Sequence, residues 1–122
     1  MTPPRFLLDT NVIIGLAKGP GAARDLVDAA SASPNQCAVS QISRIELLSF
    51  PLISDVEEAG IHMILDAMMI LPLDEKIEVA TIAIRRRTRL KLPDAMIAAT
   101  AQMHGLTLLT LDERFRAAIA DS

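Results

Sequence analysis

A chain of 122 residues, 51% apolar and 22% charged, is the size of one globular domain, which excludes a disordered chain and repeat arrays. Cys37 is the single cysteine and closes no intrachain disulfide, while the formal charge of −3 argues against a basic protein that coats nucleic acid. With no Trp, no Tyr and three Phe, there is little on which single-stranded bases could stack.

Short apolar runs alternate with helical patterns, which predicts an α/β fold with a parallel sheet wrapped by helices. The first strand is predicted over 5–8. Asp9 follows it and interrupts the apolar stretch that a secretory signal needs, and no apolar run approaches the ~18 residues of a membrane span. A cytoplasmic protein without a membrane segment is expected. After Gly19-Pro20-Gly21, the Ala-rich stretch 22–30 reads as a helix closed by the turn residues Ser33-Pro34-Asn35, and 36–39 as the second strand. Ser43 and Glu46 match a capping box in the helix that follows. Ser54 and Glu57 match another, opening a helix over 55–68, and 69–73 is the third strand. Asp74 caps a helix over 75–87, in which Ile77, Ala80 and Ile84 recur at helical spacing. Pro93 opens a helix that ends at His104 and Gly105. The fourth strand spans 107–110, and a last helix follows Asp112. No linker or repeat divides 1–122, so one domain is expected.

Four acids fall at the carboxyl edge of this sheet or in the first turn of an adjoining helix: Asp9, Glu46, Asp94 and Asp112. Ligands bind at that edge in open parallel sheets. Each acid also has a plain structural explanation, because carboxylates are favoured at helix N-termini by ~0.3–1 kcal/mol. Convergence is a different matter. Neighbouring strands lie ~4.8 Å apart, so acids on adjacent strand ends can share an ion, and Asp74, on a peripheral strand, is left out. Two carboxylates about 4 Å apart repel by roughly 4 kcal/mol at an effective dielectric near 20, so a cluster calls for a cation or extra protons. All-oxygen ligation suits Mg²⁺ or Mn²⁺, the ions of phosphodiester hydrolysis.

These residues carry a family resemblance. The segments Leu7-Leu8-Asp9-Thr10-Asn11-Val12, Ser43-Arg44-Ile45-Glu46-Leu47, Leu92-Pro93-Asp94-Ala95-Met96-Ile97 and Leu109-Thr110-Leu111-Asp112 resemble, in order and across nearly the whole chain, those of PIN-domain ribonucleases, in particular the VapC-type toxins of toxin-antitoxin pairs. The resemblance implies a three-layer α/β/α sandwich with a parallel sheet of four strands in the order 3-2-1-4. It also implies a metal site in which Asp9, Asp94 and Asp112 bind Mg²⁺ directly or through water and Glu46 binds it or holds the attacking water. Asn11 and Thr110 would orient the site by hydrogen bonds. The implied activity is endonucleolytic RNA cleavage leaving a 5′-phosphate and a 3′-hydroxyl, and the implied partners are an antitoxin protein and a second copy of the chain. Family members commonly add a fifth strand, for which the short, Ala-rich segment 115–122 is poorly suited; the strand count is therefore four, or five if that tail joins the sheet.

Arg85, Arg86, Arg87, Arg89 and Lys91 form the one basic cluster. A solvated helix end with cations favourable to its dipole is one reading; contact with RNA phosphates is the other, expected because five cations exceed what a helix dipole needs. Ile61, Met63, Ile64, Leu65, Met68 and Met69 crowd more apolar surface onto one helix than a single buried stripe requires, leaving a surplus for a dimer face or an antitoxin helix. His62 and His104 lack metal-ligand spacing. Two other classes remain: a PIN-like binding module without catalysis, and a phospho-accepting receiver domain. The second lacks both the paired acids after its first strand and a Lys after a late strand.

Overall fold

The computed structural model describes residues 3–51 and 53–120. Strands β1 (Phe6–Leu8), β2 (Cys37–Ser40), β3 (Met69–Leu71) and β4 (Thr107–Leu109) form one parallel sheet in the order β3-β2-β1-β4. Around it run helices α1 (Thr10–Lys18), α2 (Ala22–Ala29), α3 (Gln41–Leu48), α4 (Asp55–Asp66), α5 (Glu75–Arg87), α6 (Leu92–His104) and α7 (Glu113–Ala120). The sequence produces three layers because successive strand side chains point to opposite faces. Phe6, Leu8, Cys37 and Val39 pack with Val12, Ile13, Val27, Leu47, Ile61 and Leu65 from α1 to α4. Leu7, Ala38 and Leu71 face the other way and pack with Ile77 and Ile84 of α5, Ala95 and Ile97 of α6, and Phe115 of α7. Both faces are covered, as a parallel sheet requires.

The strand order is the one implied by the resemblance, and it excludes the receiver fold, whose sheet runs 2-1-3-4-5. In β1, Phe6 pairs with Cys37 on one side and Thr107 on the other, so the central strand ends level with its neighbours and delivers Asp9 to the carboxyl edge. Several details depart from the sequence reading, among them β1 beginning at Phe6, β2 spanning Cys37–Ser40, and α2 and α4 ending at Ala29 and Asp66. The third strand stops at Leu71, because Pro72 has no N–H to donate. The fourth stops at Leu109, leaving Thr110 free to turn its hydroxyl toward Asp9. Ser40, and not Ser43, caps α3: its Oγ accepts from the Ile42 amide at 3.3 Å, which places Ser43 inside the helix and buries it. Met69 belongs to β3, so the crowded apolar stretch is divided; Ile61 and Leu65 enter the core while Met63 stays exposed. The segment after Asp112 is helical over 113–120, so among the described residues the sheet has four strands, with β3 and β4 at its edges.

The caps follow local chemistry. Ser54 accepts from the Glu57 amide at 3.1 Å, and Asp74 from the Ile77 amide at 3.0 Å. Gly105 closes α6 with φ 64, a left-handed conformation that costs a glycine nothing. No helix among the described residues is long and apolar enough to cross a membrane.

Candidate active site

The four acids come from four different elements. Asp9 leaves β1 and caps α1, its Oδ1 accepting from the Thr10 amide at 2.7 Å. Glu46 lies in α3, Asp94 in the first turn of α6, and Asp112 caps α7, its Oδ1 accepting from the amides of Arg114 at 2.9 Å and Phe115 at 3.1 Å. Asp9 and Asp112 are thus both the caps that simple helix chemistry predicts and members of one electrostatic group.

A hydrogen-bond network fixes Asp9. Its Oδ2 accepts from the Thr110 hydroxyl at 2.7 Å and from Asn11 Nδ2 at 3.2 Å. Asn11 reaches back across the β4 end, its Oδ1 accepting from the Leu111 amide at 3.2 Å, and the Thr110 oxygen accepts from the Asp112 amide at 3.0 Å. The Asp9 amide donates to the Leu109 carbonyl at 3.0 Å. Asn11 and Thr110 therefore join the ends of β1 and β4 into one rigid corner, with the Arg116 guanidinium donating to the Thr110 carbonyl from outside.

Burial pushes the Asp9 carboxyl above its ordinary value; the Thr110 hydroxyl and Thr10 amide oppose the rise, and the charges of Glu46 and Asp112 add to it. Burial also raises Asp94, followed by the charges of Asp9, Asp112 and Glu46, while Lys91 acts in the opposite direction. The Asp9 and Asp94 carboxyls therefore feel the charges of the acids around them. They are not drawn into a closed cage, since no three His, Cys, Asp or Glu among the described residues are gathered as a ready metal-ligand group. The free oxygens matter more. Among the described residues Asp94 accepts no hydrogen bond from the protein, Glu46 uses only Oε1, at 2.9 Å from the Thr10 hydroxyl, and Asp112 uses only Oδ1. This open, hard, all-oxygen set fits Mg²⁺, which keeps several waters and takes one or two carboxylates directly. The same set does not suit Zn²⁺, which favours nitrogen and sulfur.

The basic cluster runs from the last turn of α5, which holds Arg85, Arg86 and Arg87, through Arg89 to Lys91, the N-cap of α6, the helix whose first turn carries Asp94. It is not a single unit. Arg85 donates to the Leu90 carbonyl at 3.2 Å, as a helix-end cation does, and Lys91 acts electrostatically on Asp94. Arg86, Arg87 and Arg89 are exposed. Thr10 and Ser43 are participants that sequence reasoning missed: the Thr10 hydroxyl lies 2.9 Å from both Ser43 Oγ and Glu46 Oε1. Ser43 was readable only as a cap, because a capping box and a buried hydroxyl one turn before an acid look alike as letters.

Comparison with known proteins agrees with this fold. The protein-family description "PIN domain" matches residues 6–120. A search of curated proteins gave no match. Among solved structures, the chain is similar to one in a toxin-antitoxin complex from Klebsiella pneumoniae, at 34% identity and a TM-score of 0.78, covering 91% of this chain and 89% of that one. It is also similar to one in FitAcB from Neisseria gonorrhoeae, at 27% identity and a TM-score of 0.72, covering 94% and 93%. VapBC2 from Rickettsia felis, solved bound to a promoter DNA fragment, shares the fold at 19% identity and a TM-score of 0.77, with 96% and 93% covered. A match that begins at the first residue of β1 and ends at the last of α7, over a sheet of the order found here, leaves no part of the ordered fold outside it: the chain belongs to the PIN domain family.

Proposed function

We propose that this protein is a Mg²⁺-dependent endoribonuclease, with Mn²⁺ able to substitute, and the toxin half of a toxin-antitoxin pair. The observation that carries the reading is the gathering of four acids from different parts of the chain, in which Asp9 and Asp94 are raised by burial and by the charges of their neighbours and three acids keep, among the described residues, at least one oxygen free of protein donors. In this reading Asp9, Asp94 and Asp112 hold the ion directly or through water, and Glu46 binds it or accepts a proton from the attacking water. Bound there, Mg²⁺ supplies Lewis-acid activation of water and of the phosphoryl oxygens. Asn11 and Thr110 keep Asp9 in place, and Arg86, Arg87 and Arg89 are available to RNA phosphates. The antitoxin partner is proposed from the similarity to a chain of a toxin-antitoxin complex, and a homodimeric assembly and a cytoplasmic setting go with that reading as expectations of the sequence.

The test is RNA cleavage by the purified chain with and without Mg²⁺. Asp9→Asn and Asp94→Asn should each abolish the metal-dependent cleavage while the melt stays cooperative; cleavage surviving both changes sinks the mechanism. A binding module without catalysis is the second reading, favoured by the lack of a pregathered triad among the described residues. A site that holds an ion raises the melting temperature with its concentration, whereas an ion-free module gives no shift at millimolar Mg²⁺.

A further inference from the structure

We infer that Thr10, held by Ser43, is a positioning residue for Glu46; the inference rests on the nuclease reading and assigns a role inside it. Thr10 touches two of the four acids at once. Its amide donates to Asp9 Oδ1 at 2.7 Å, and its hydroxyl sits 2.9 Å from Glu46 Oε1, across 36 positions of sequence. The same hydroxyl is 2.9 Å from Ser43 Oγ. A threonine hydroxyl has one proton and a carboxylate can only accept, so the Thr10 proton goes to Glu46 and the Ser43 hydroxyl donates to Thr10. Ser43 has no exposed surface and lies one helical turn before Glu46 in α3, so no water competes for its proton. The relay Ser43 to Thr10 to Glu46 thus runs one way.

The consequence concerns direction. Glu46 and Asp9 repel each other, and Glu46, only partly buried, would swing toward solvent on its flexible stem if nothing held it. The Thr10 hydroxyl occupies one oxygen and leaves Oε2 as the oxygen that works. A charge-assisted bond from a residue whose backbone is fixed by the Asp9 cap sets where that oxygen points. Supporting partners of this type typically contribute about 10–100-fold in metal affinity or activity.

The experiment compares wild type, Thr10→Val, Thr10→Ser and Ser43→Ala in two measurements: kcat and KM for a model RNA, and the midpoint of Mn²⁺ binding by electron paramagnetic resonance of the free ion. Thr10→Val should lower kcat by about tenfold or more and raise the Mn²⁺ midpoint severalfold, leaving KM for RNA within about twofold; Thr10→Ser should restore both. On a Glu46→Gln background Thr10→Val should move the Mn²⁺ midpoint no further, since the hydroxyl acts through the carboxylate. A further shift there overturns the inference, as does a folded Thr10→Val with kcat and midpoint equal to wild type. If Thr10→Val does not fold, Ser43→Ala, which keeps a good helix former in α3, decides: kcat must fall and the midpoint rise, and unchanged values overturn the proposal. A wild-type chain that cleaves no RNA sinks the nuclease reading instead, while the Mn²⁺ midpoints still report on Thr10.

Discussion

Asp94→Asn should stabilise the metal-free protein while removing its activity. The Asp94 carboxylate is half-buried, faces the charges of Asp9, Asp112 and Glu46, and has the charge of Lys91 acting in its favour. At an effective dielectric near 20 a like charge about 7 Å away costs roughly 2 kcal/mol, and after screening by water and salt the three together cost on the order of 2 kcal/mol. An acid in the first turn of a helix gains about 0.5 kcal/mol from the dipole, which the Asn forfeits, leaving a net gain of about 1.5 kcal/mol. For 122 residues the unfolding entropy is about 0.26 kcal/mol/K, so the melting temperature should rise by about 6 °C. The comparison is Asp55→Asn, an exposed first-turn acid of α4 far from the cluster in sequence, which should lose a few tenths of a kcal/mol by the same dipole argument. Calorimetric melts in chelator at neutral pH and low salt read both. Titration gives a second handle. The carboxyls of Asp9 and Asp94 are raised above the ordinary 3.8, so the folded state binds their protons more tightly than the unfolded chain does. Their contribution to stability is complete below that value and is lost as the pH rises through the folded-state pKa. The advantage of Asp94→Asn over wild type should therefore shrink as the pH is lowered toward 4, and millimolar Mg²⁺ should reverse it at neutral pH by stabilising only the wild type. An Asp94→Asn protein that melts lower than wild type in chelator, as Asp55→Asn should, refutes the claim of shared repulsion.

Thr110→Val should cost about 2 kcal/mol, because it removes the hydroxyl that donates to the nearly inaccessible Asp9 carboxylate and leaves the Asp112 amide without its acceptor; thermal melts in chelator measure it, and a loss under about 0.5 kcal/mol shows that water replaces the bond. Replacing Arg86, Arg87 and Arg89 together by Gln should weaken RNA binding and flatten its salt dependence by up to three phosphate contacts, with the cleavage rate at saturating RNA unchanged; filter binding across a salt series that gives the wild-type slope removes these arginines from the interface.

The fold was readable to the extent that strands and caps announce themselves locally. The period-two split of Phe6-Leu7-Leu8 between two cores and the Ser54 and Asp74 caps are written in adjacent residues, and so is the Gly105 stop. The acids were readable for a related reason: Asp9, Asp94 and Asp112 each stand at a helix start that the sequence marks, so placing the elements places the charges. What stayed hidden depends on contacts between distant segments. Nothing near Ser43 distinguishes the cap that its spacing to Glu46 suggests from the buried donor it is, because the deciding partner, Thr10, lies 33 positions earlier. Ser40 took the capping role since β2 runs one residue further than its apolar run, and that shift by less than one turn carried Ser43 to the inward face. The third and fourth strands were overestimated where Pro72 and Thr110 leave the ladder, and in the second case the residue leaves because its hydroxyl is bonded to a carboxylate on another strand. Apart from the stop at Pro72, the errors gather where side chains of one element complete the polar groups of another, which is also where a fold built from ordinary caps departs from ordinary capping and leaves three acids with oxygens that no donor among the described residues claims.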